Sequence, residues 1–470
     1  MSLYDEAEKA WANRDLHAAK KLAERFLGIC PSHAGALMLL GICEAELDNE
    51  GVALHLMLAA INHGAKDAQS YANLGGLFSR LRLEKPAQEA LTKALEIDPN
   101  NLMALANMAG TFVNEGNPEP GIAWADKILA AAPSDPGGHG HWNRALLLLE
   151  SGRWGEGWDE YAIGLKTGRR VGYRAYPGTP DWDGAPGKTV VFYGEQGVGD
   201  EIMTASMLPD ARKLCEDVIL DCHPRLVASW KRSFPWLKGV YGTRKDKVIN
   251  WHTATHFDAS FALADLGGLV RRKAEDFPKK PYLKPDPERV KLWRKRLGPG
   301  PHWGIHWRGG KRNTNYHYRS LDLEALKPIL EMPVAWHSLQ HNNTLASAAE
   351  NRDERRAFEA KHGIWIDHRD DVVDDYEETI AFTAALDGVV SVCTTLVHTC
   401  GALGKTCLVL APKGIAWRYG LSGEEMPWYG PWVRMFRQKG HFEWDKVIGD
   451  IRDELEDRIT APDRMMERVA

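Results

Sequence analysis

The chain has 470 residues, 44% of them hydrophobic and 26% charged, and its 59 Lys+Arg against 64 Asp+Glu leave a net charge of -5. This length is too great for one ordinary domain, and the composition excludes long disorder and broad electrostatic binding to nucleic acid. Seven cysteines spread from Cys30 to Cys407 without a C-x-x-C pair fit neither a disulfide scaffold nor a zinc module, so a cytoplasmic protein is expected. Residues 1–9 hold no apolar run of signal-peptide type, and no segment approaches roughly 18 uninterrupted apolar residues, so no membrane span is expected.

Residues 1–168 carry a period of 34. Pro31, Pro99 and Pro133 share one lattice with Ala65 in the missing slot, and Leu40-Gly41, Leu74-Gly75, Met108-Ala109 and Trp142-Asn143 share another. Ala19, Ala53 and Ala87 form a third row, continued by Gly121 and Gly155. Small residues recur where two helices approach closely, large apolar ones where helices cap one another, and proline where a helix has ended. The pattern resembles the tetratricopeptide repeat, as does Ala-Leu-Glu-Ile-Asp-Pro-Asn-Asn at 94–101. About five repeats fit, and the resemblance implies an α-superhelix whose groove takes a peptide or partner protein. A structural spacer or a dimerisation surface, and with it a homo-oligomer, is the alternative reading.

Residues 169–187, rich in turn formers such as Tyr176-Pro177-Gly178-Thr179-Pro180, read as a linker. Beyond it, short apolar runs alternate with helical patterns. Strands are predicted at 189–193, 218–221, 304–307, 334–339, 388–392 and 407–410, with helices at 204–214, 285–296, 323–330, 376–386 and 396–403. Such alternation implies parallel sheets covered on both faces. Two Rossmann-like domains, 188–299 and 300–440, are expected, followed by a C-terminal segment, 441–470, with a helix at 444–458. In open parallel sheets ligands gather at the carboxyl ends of the strands.

Three segments at such ends carry candidate chemistry. Gly194-Glu195-Gln196-Gly197-Val198-Gly199-Asp200 follows the first strand; Gly197 and Gly199 let backbone approach a ligand, and Asp200 would either accept a proton from an acceptor hydroxyl or simply start the helix. Cys393-Thr394-Thr395-Leu396-Val397-His398 again runs from strand into helix. Thr394 and Thr395 could offer hydroxyls and N–H groups to a phosphate, and His398 would add a donor or serve as a hydrogen-bonded structural histidine. The loop from Trp307 to Ser320 places Arg308, Lys311, Arg312 and Arg319 where they would either neutralise a diphosphate without a metal or form a solvated surface. The i,i+4 histidine pairs His302/His306, His337/His341 and His252/His256 lack an acidic partner, so no metal is expected. Trp417, Trp428 and Trp432, beside Tyr419 and Tyr429, would stack on a sugar or base or pack a core.

These segments, with Leu208-Pro209, Ser338-Leu339-Gln340, Gly401-Ala402-Leu403-Gly404, Pro180-Asp181-Trp182-Asp183-Gly184 and Trp417-Arg418, resemble the heptosyltransferase-like glycosyltransferases, in particular the subgroup with N-terminal tetratricopeptide repeats. The resemblance spans essentially the whole chain. It implies a GT-B fold of two Rossmann-like domains, the first on the acceptor side and the second on the nucleotide-sugar side. It also implies metal-independent inverting transfer without a cofactor, to an acceptor that by architecture is a protein recruited by the repeats. By the resemblance Asp200 is the catalytic base; Arg308, Lys311, Arg319, Gln340, Cys393, Thr394, Thr395 and His398 are donor-binding; and Lys311 or Arg319 takes the phosphate. One position departs from the family: its usual Asp before the threonine is Cys393 here, and a thiol cannot hold a hydroxyl as a carboxylate does. A non-catalytic adaptor with a degenerate transferase domain, or transfer to a lipid or polysaccharide, are the alternative expectations.

Overall fold

The computed structural model describes residues 2–135, 137–172, 174–246, 248–309, 316–342 and 344–460. The chain divides into two compact units, Met1–Ser151 and Gly152–Ala470.

The first unit is a tetratricopeptide-like superhelix of α1 (Leu3–Ala12), α2 (Leu16–Leu27), α3 (Ala34–Glu46), α4 (Glu50–Asn62), α5 (Ala68–Arg80), α6 (Glu84–Ile97), α7 (Leu102–Glu115), α8 (Pro118–Ala131) and α9 (His139–Glu150). Ala19, Ala53 and Ala87 are fully buried, so the small-residue row marks helix–helix contacts. A fourth row, not singled out from the sequence, sets where hairpins begin. His33 Nδ1, Asp67 Oδ1 and Asn101 Oδ1 accept the N–H of Ala36, Ser70 and Ala104 at 3.1, 3.0 and 2.9 Å, capping α3, α5 and α7. Asp135, next on the same lattice, accepts from Gly140 N at 3.1 Å and His141 N at 3.0 Å. Asn107 and Asn143 reach back from one hairpin to the next, donating to the carbonyls of Ala72 and Ala106 at 3.2 and 3.1 Å.

The second unit opens with α10 (Trp154–Lys166), which the 34-residue period assigns to the fifth repeat. Trp158 on α10 is buried, its ring lies where a Cβ on Gly267 would stand, and its Nε1 donates to Arg271 O at 3.0 Å. Asp159 pairs with Arg272 at 2.7 Å. The stretch read as a linker is likewise packed: Arg170, Tyr176 and Trp182 are buried, and Trp182 N donates to Ser260 O at 2.9 Å. Its turn formers shape the path, while Tyr176 meets Tyr193 of the first strand that follows and Trp182 meets Phe261 of the fourth.

A four-stranded, all-parallel sheet follows, with β1 (Thr189–Tyr193), β2 (Asp217–Asp221), β3 (Gly239–Tyr241) and β4 (Ala259–Ala262) in the order β3-β2-β1-β4. Its helices are α11 (Val198–Ala205), α12 (Leu208–Leu214), α13 (Val227–Ser233) and α14 (Gly267–Val270). The single helix expected at 204–214 is two, because Pro209 has no N–H to donate and fits only a first turn, here that of α12. After α15 (Pro287–Leu297) comes a seven-stranded sheet of β5 (His302–His306), β6 (Ala335–Ser338), β7 (Ile366–His368), β8 (Gly388–Val392), β9 (Cys407–Ala411), β10 (Glu425–Met426) and β11 (Gly430–Arg437). The order is β10-β11-β9-β8-β5-β6-β7, parallel except for the β10–β11 pair. Its helices are α16 (Lys327–Leu330), α17 (Leu345–His362), α18 (Asp370–Asp374), α19 (Tyr376–Ala385), α20 (Thr395–Leu403) and α21 (Asp445–Thr460). Val447, Ile448, Ile451 and Leu455 of α21 join the core with Trp303, Ile305, Leu408 and Leu410, so the C-terminal helix completes this sheet's packing.

Candidate functional site

The loop leaving β1 is braced from below. Arg170 is buried and forks onto the Glu195 carboxylate, with Nε to Oε2 at 3.1 Å; it also meets Asp265 and donates to Tyr161 O at 3.2 Å. Gln196 N donates to Val171 O at 3.0 Å, and Arg244 holds the buried Glu201 at 2.7 Å. These contacts fix the start of α11. Asp200, in its first turn, divides its two oxygens: Oδ2 accepts the Gly197 N–H at 2.9 Å, while Oδ1 is ion-paired with the Arg418 guanidinium. The helix start thus uses one oxygen of the carboxylate and the ion pair the other.

The loop leaving β8 meets it. A Cβ on Gly199 would stand 3.0 Å from His398 Cδ2 and 3.2 Å from Thr395 Oγ1, so glycine lets the first turns of α11 and α20 approach almost backbone to side chain. Tyr282 pins the pair: its hydroxyl donates to Ile202 O at 2.6 Å, and its N–H donates to Ala402 O at 2.9 Å. Thr394 caps α20 by backbone alone; its Oγ1 is buried and has no hydrogen-bond partner among the described residues. Arg319 crosses Gly309 and donates from Nη1 to Cys393 O at 2.8 Å. Cys393 itself turns inward, its Sγ 3.7 Å from Leu410 O, and burial pushes its thiol up to about 12. It is therefore a neutral interior residue whose carbonyl, not its side chain, meets the site.

His398 lies between two tyrosines, Nδ1 3.1 Å from Tyr429 Oη and Nε2 3.4 Å from Tyr419 Oη. Burial, assisted by the charge of Arg418, holds its pKa down at about 3, so the ring is neutral and both nitrogens are occupied. Trp417 is buried among Trp158, Tyr161 and Trp428 and so packs a core.

Two other expected residues have different partners. Arg308 pairs with Asp322 at 3.1 Å, with Glu354 at 2.9 Å and with Glu350. Gln340 joins the ends of β5 and β6: its Oε1 accepts from Trp307 N at 3.2 Å and Arg308 N at 2.9 Å, and its Nε2 donates to Arg308 O at 3.3 Å. Neither has a recorded partner on α11 or α20 among the described residues. Lys311 lies outside the described residues. Sequence reasoning noted Trp417-Arg418 but gave Arg418 no role; the signal was its place after the carboxyl end of β9. Among the described residues no group of three or more His, Cys, Asp or Glu is placed to hold a metal ion, and no helix is long and apolar enough to cross a membrane.

No protein-family model matches the chain. Protein FlbA of Caulobacter vibrioides is 27% identical over 434 residues, covering 88% of this chain and 71% of that protein. A peroxisomal targeting signal receptor of Yarrowia lipolytica is 31% identical over 72 residues, 15% of this chain and 12% of that protein. Among solved structures, MamA is 16% identical with a TM-score of 0.30, covering 35% of this chain and 94% of that one. TTC0263, a thermophilic TPR protein of Thermus thermophilus, is 19% identical with a TM-score of 0.32, covering 36% and 90%. YrrB, a TPR protein with an unusual peptide-binding site, is 17% identical with a TM-score of 0.28, covering 35% and 82%.

Proposed function

We propose that this chain is a GT-B glycosyltransferase that moves a sugar from a nucleotide-sugar to a protein bound by its repeats, in the cytoplasm and without a metal. The observation that carries this reading is the meeting of the Asp200 turn with the Thr394–His398 turn across Gly199, beside Arg319 and Arg418. In the proposed reaction a side-chain nucleophile of the acceptor attacks the anomeric carbon and gives its proton to Asp200. The bond from that carbon to the diphosphate oxygen breaks, and the electron pair leaves with the nucleoside diphosphate. Arg319, the Thr394 and Thr395 groups and the positive end of α20 would stabilise the charge as it develops. A neutral His398 would shape this wall through its ring rather than through a charge.

Calorimetry of the full chain against ADP, GDP, UDP, dTDP and their sugar conjugates, with and without EDTA, tests the reading. Saturable binding that survives EDTA is expected. Once an acceptor is in hand, Asp200→Asn should lower kcat by roughly a thousandfold or more while donor binding persists, as loss of a base in the transition state requires. Retained turnover would remove Asp200 from that role. A non-catalytic adaptor is the second reading, favoured by the ion pair that already occupies Asp200, and absence of binding to every member would select it.

A further inference from the structure

Asp200 as found is poorly placed to accept a proton, because a guanidinium sits on its outward oxygen. Arg418 belongs to the short 3-10 turn Trp417–Tyr419, and that turn is held rather than loose. Arg437 donates to Tyr419 O at 2.7 Å, Gly420 O at 3.0 Å and Gly423 O at 2.9 Å, and Trp417 is wedged among aromatic rings. The backbone is therefore fixed while the Arg418 side chain reaches across to α11. Its Nε is buried and has no hydrogen-bond partner among the described residues, and Thr394 Oγ1 is in the same condition. Arg319 senses the charges of both Arg418 and Asp200, so the three groups share one neighbourhood. A guanidinium N–H and a hydroxyl left without partners among the described residues fit an anion with several oxygens.

We infer that Arg418 is an exchange residue: without donor it caps Asp200, and with donor it moves to the diphosphate, which frees Asp200 to receive the acceptor's proton. This rests on the transferase reading above. The guanidinium's unused N–H supplies the attraction, and the exchange ties the exposure of the base to the presence of the leaving group. A sugar donor would then be needed before the base is competent. Arg418 is a donor-binding residue in this scheme and a positioning residue for Asp200.

The full chain carrying Arg418→Gln, Asp200→Asn or both, titrated calorimetrically with the nucleoside diphosphate that the wild type binds best and with inorganic pyrophosphate, separates this from a static clamp. Losing a charge-assisted contact should weaken diphosphate binding by roughly tenfold or more in Arg418→Gln. Removing the competing carboxylate should tighten it by roughly threefold to tenfold in Asp200→Asn. The double variant should match Arg418→Gln, because no arginine remains to be released. A static clamp predicts instead that both single variants lose thermal stability and leave affinity unmoved, and that result overturns the inference. So does equal weakening in both. Arg418→Lys, which keeps the charge but not the fork, should recover part of the affinity and covers the case in which Arg418→Gln does not fold. If the wild type binds no nucleotide at all, the transferase reading itself fails and takes this one with it; wild-type binding with no opposed shifts defeats the exchange alone.

Discussion

Gly199 is where one hydrogen atom decides whether two helices can meet. A methyl group there would stand 3.0 Å from His398 Cδ2 and 3.3 Å from Thr395 Cα, and the second of these is backbone that cannot rotate away. Gly199→Ala should cost about 1–3 kcal/mol of stability by overpacking. Because it pushes α11 from α20, on the transferase reading nucleotide affinity should fall with it; urea unfolding and calorimetry on the same preparation check both. Glycine at this position was legible as a feature of backbone approach, but what approaches is the other motif's helix. The threonines, His398 and Arg319 were legible because each sits at a strand's carboxyl end or in a quoted motif. The inward turn of Cys393 was not, since a one-residue rotation about the strand end has no sequence signature. The Arg308 and Gln340 partners were hidden for a similar reason: Glu350 and Glu354 lie on a helix that the sequence reading did not find.

That helix, α17, shows where periodicity fails among the elements. Of its 18 residues only Asn351 and Phe358 are buried, so no apolar stripe repeats at 3.6 residues. The strands β1 and β8 were read to the residue because they are buried on every position. β7 is three residues at a sheet edge and β10 only two, too short to register as runs. α10 presents the opposite lesson. Its spacing marks it as a repeat helix, while Trp158 and Tyr161 bury it in the α/β unit. A chain beginning at Gly152 should therefore unfold cooperatively and, on the transferase reading, keep any nucleotide binding of the full chain. One beginning at residue 168 leaves the pocket around Gly267 and Trp417 unfilled and should lose several kcal/mol, as the loss of buried aromatic side chains does. Circular dichroism melts of the two chains decide the matter.

At the scale of the whole molecule, stability should depend on pH through buried histidines. Burial holds His306 and His398 at about 3 and His223 at about 4, against an ordinary 6.5. In the unfolded chain these groups take up protons first as pH falls. Their contribution is therefore complete above about 6.5 and is lost as pH falls to about 4 for His223 and to about 3 for His306 and His398, each group adding a slope of at most about 1.4 kcal/mol per pH unit. Buried Glu195, pushed up to about 7, gains its proton on folding and opposes the histidines over the same range, so the comparison is between chains: from about pH 7 to about pH 5.5 the urea midpoint should fall further in the wild type than in His398→Gln. The same change in both chains would mean that the His398 ring protonates in the folded state. The broad division into helical repeats and parallel α/β layers was legible from periods of 34 and from alternating apolar runs. The place of the seam was not, because the repeat period continues past it.

The row of caps at His33, Asp67, Asn101 and Asp135 gives that seam a practical meaning. Each cap opens a hairpin at the same phase, so a hairpin can be added or exchanged in blocks of 34 residues upstream of Ser151 without shifting the start of the next. The binding surface of the array could then be re-engineered by block transplantation while α10 stays with the α/β unit it packs into. A splice at residue 168 would remove the Trp158 and Tyr161 packing along with the array.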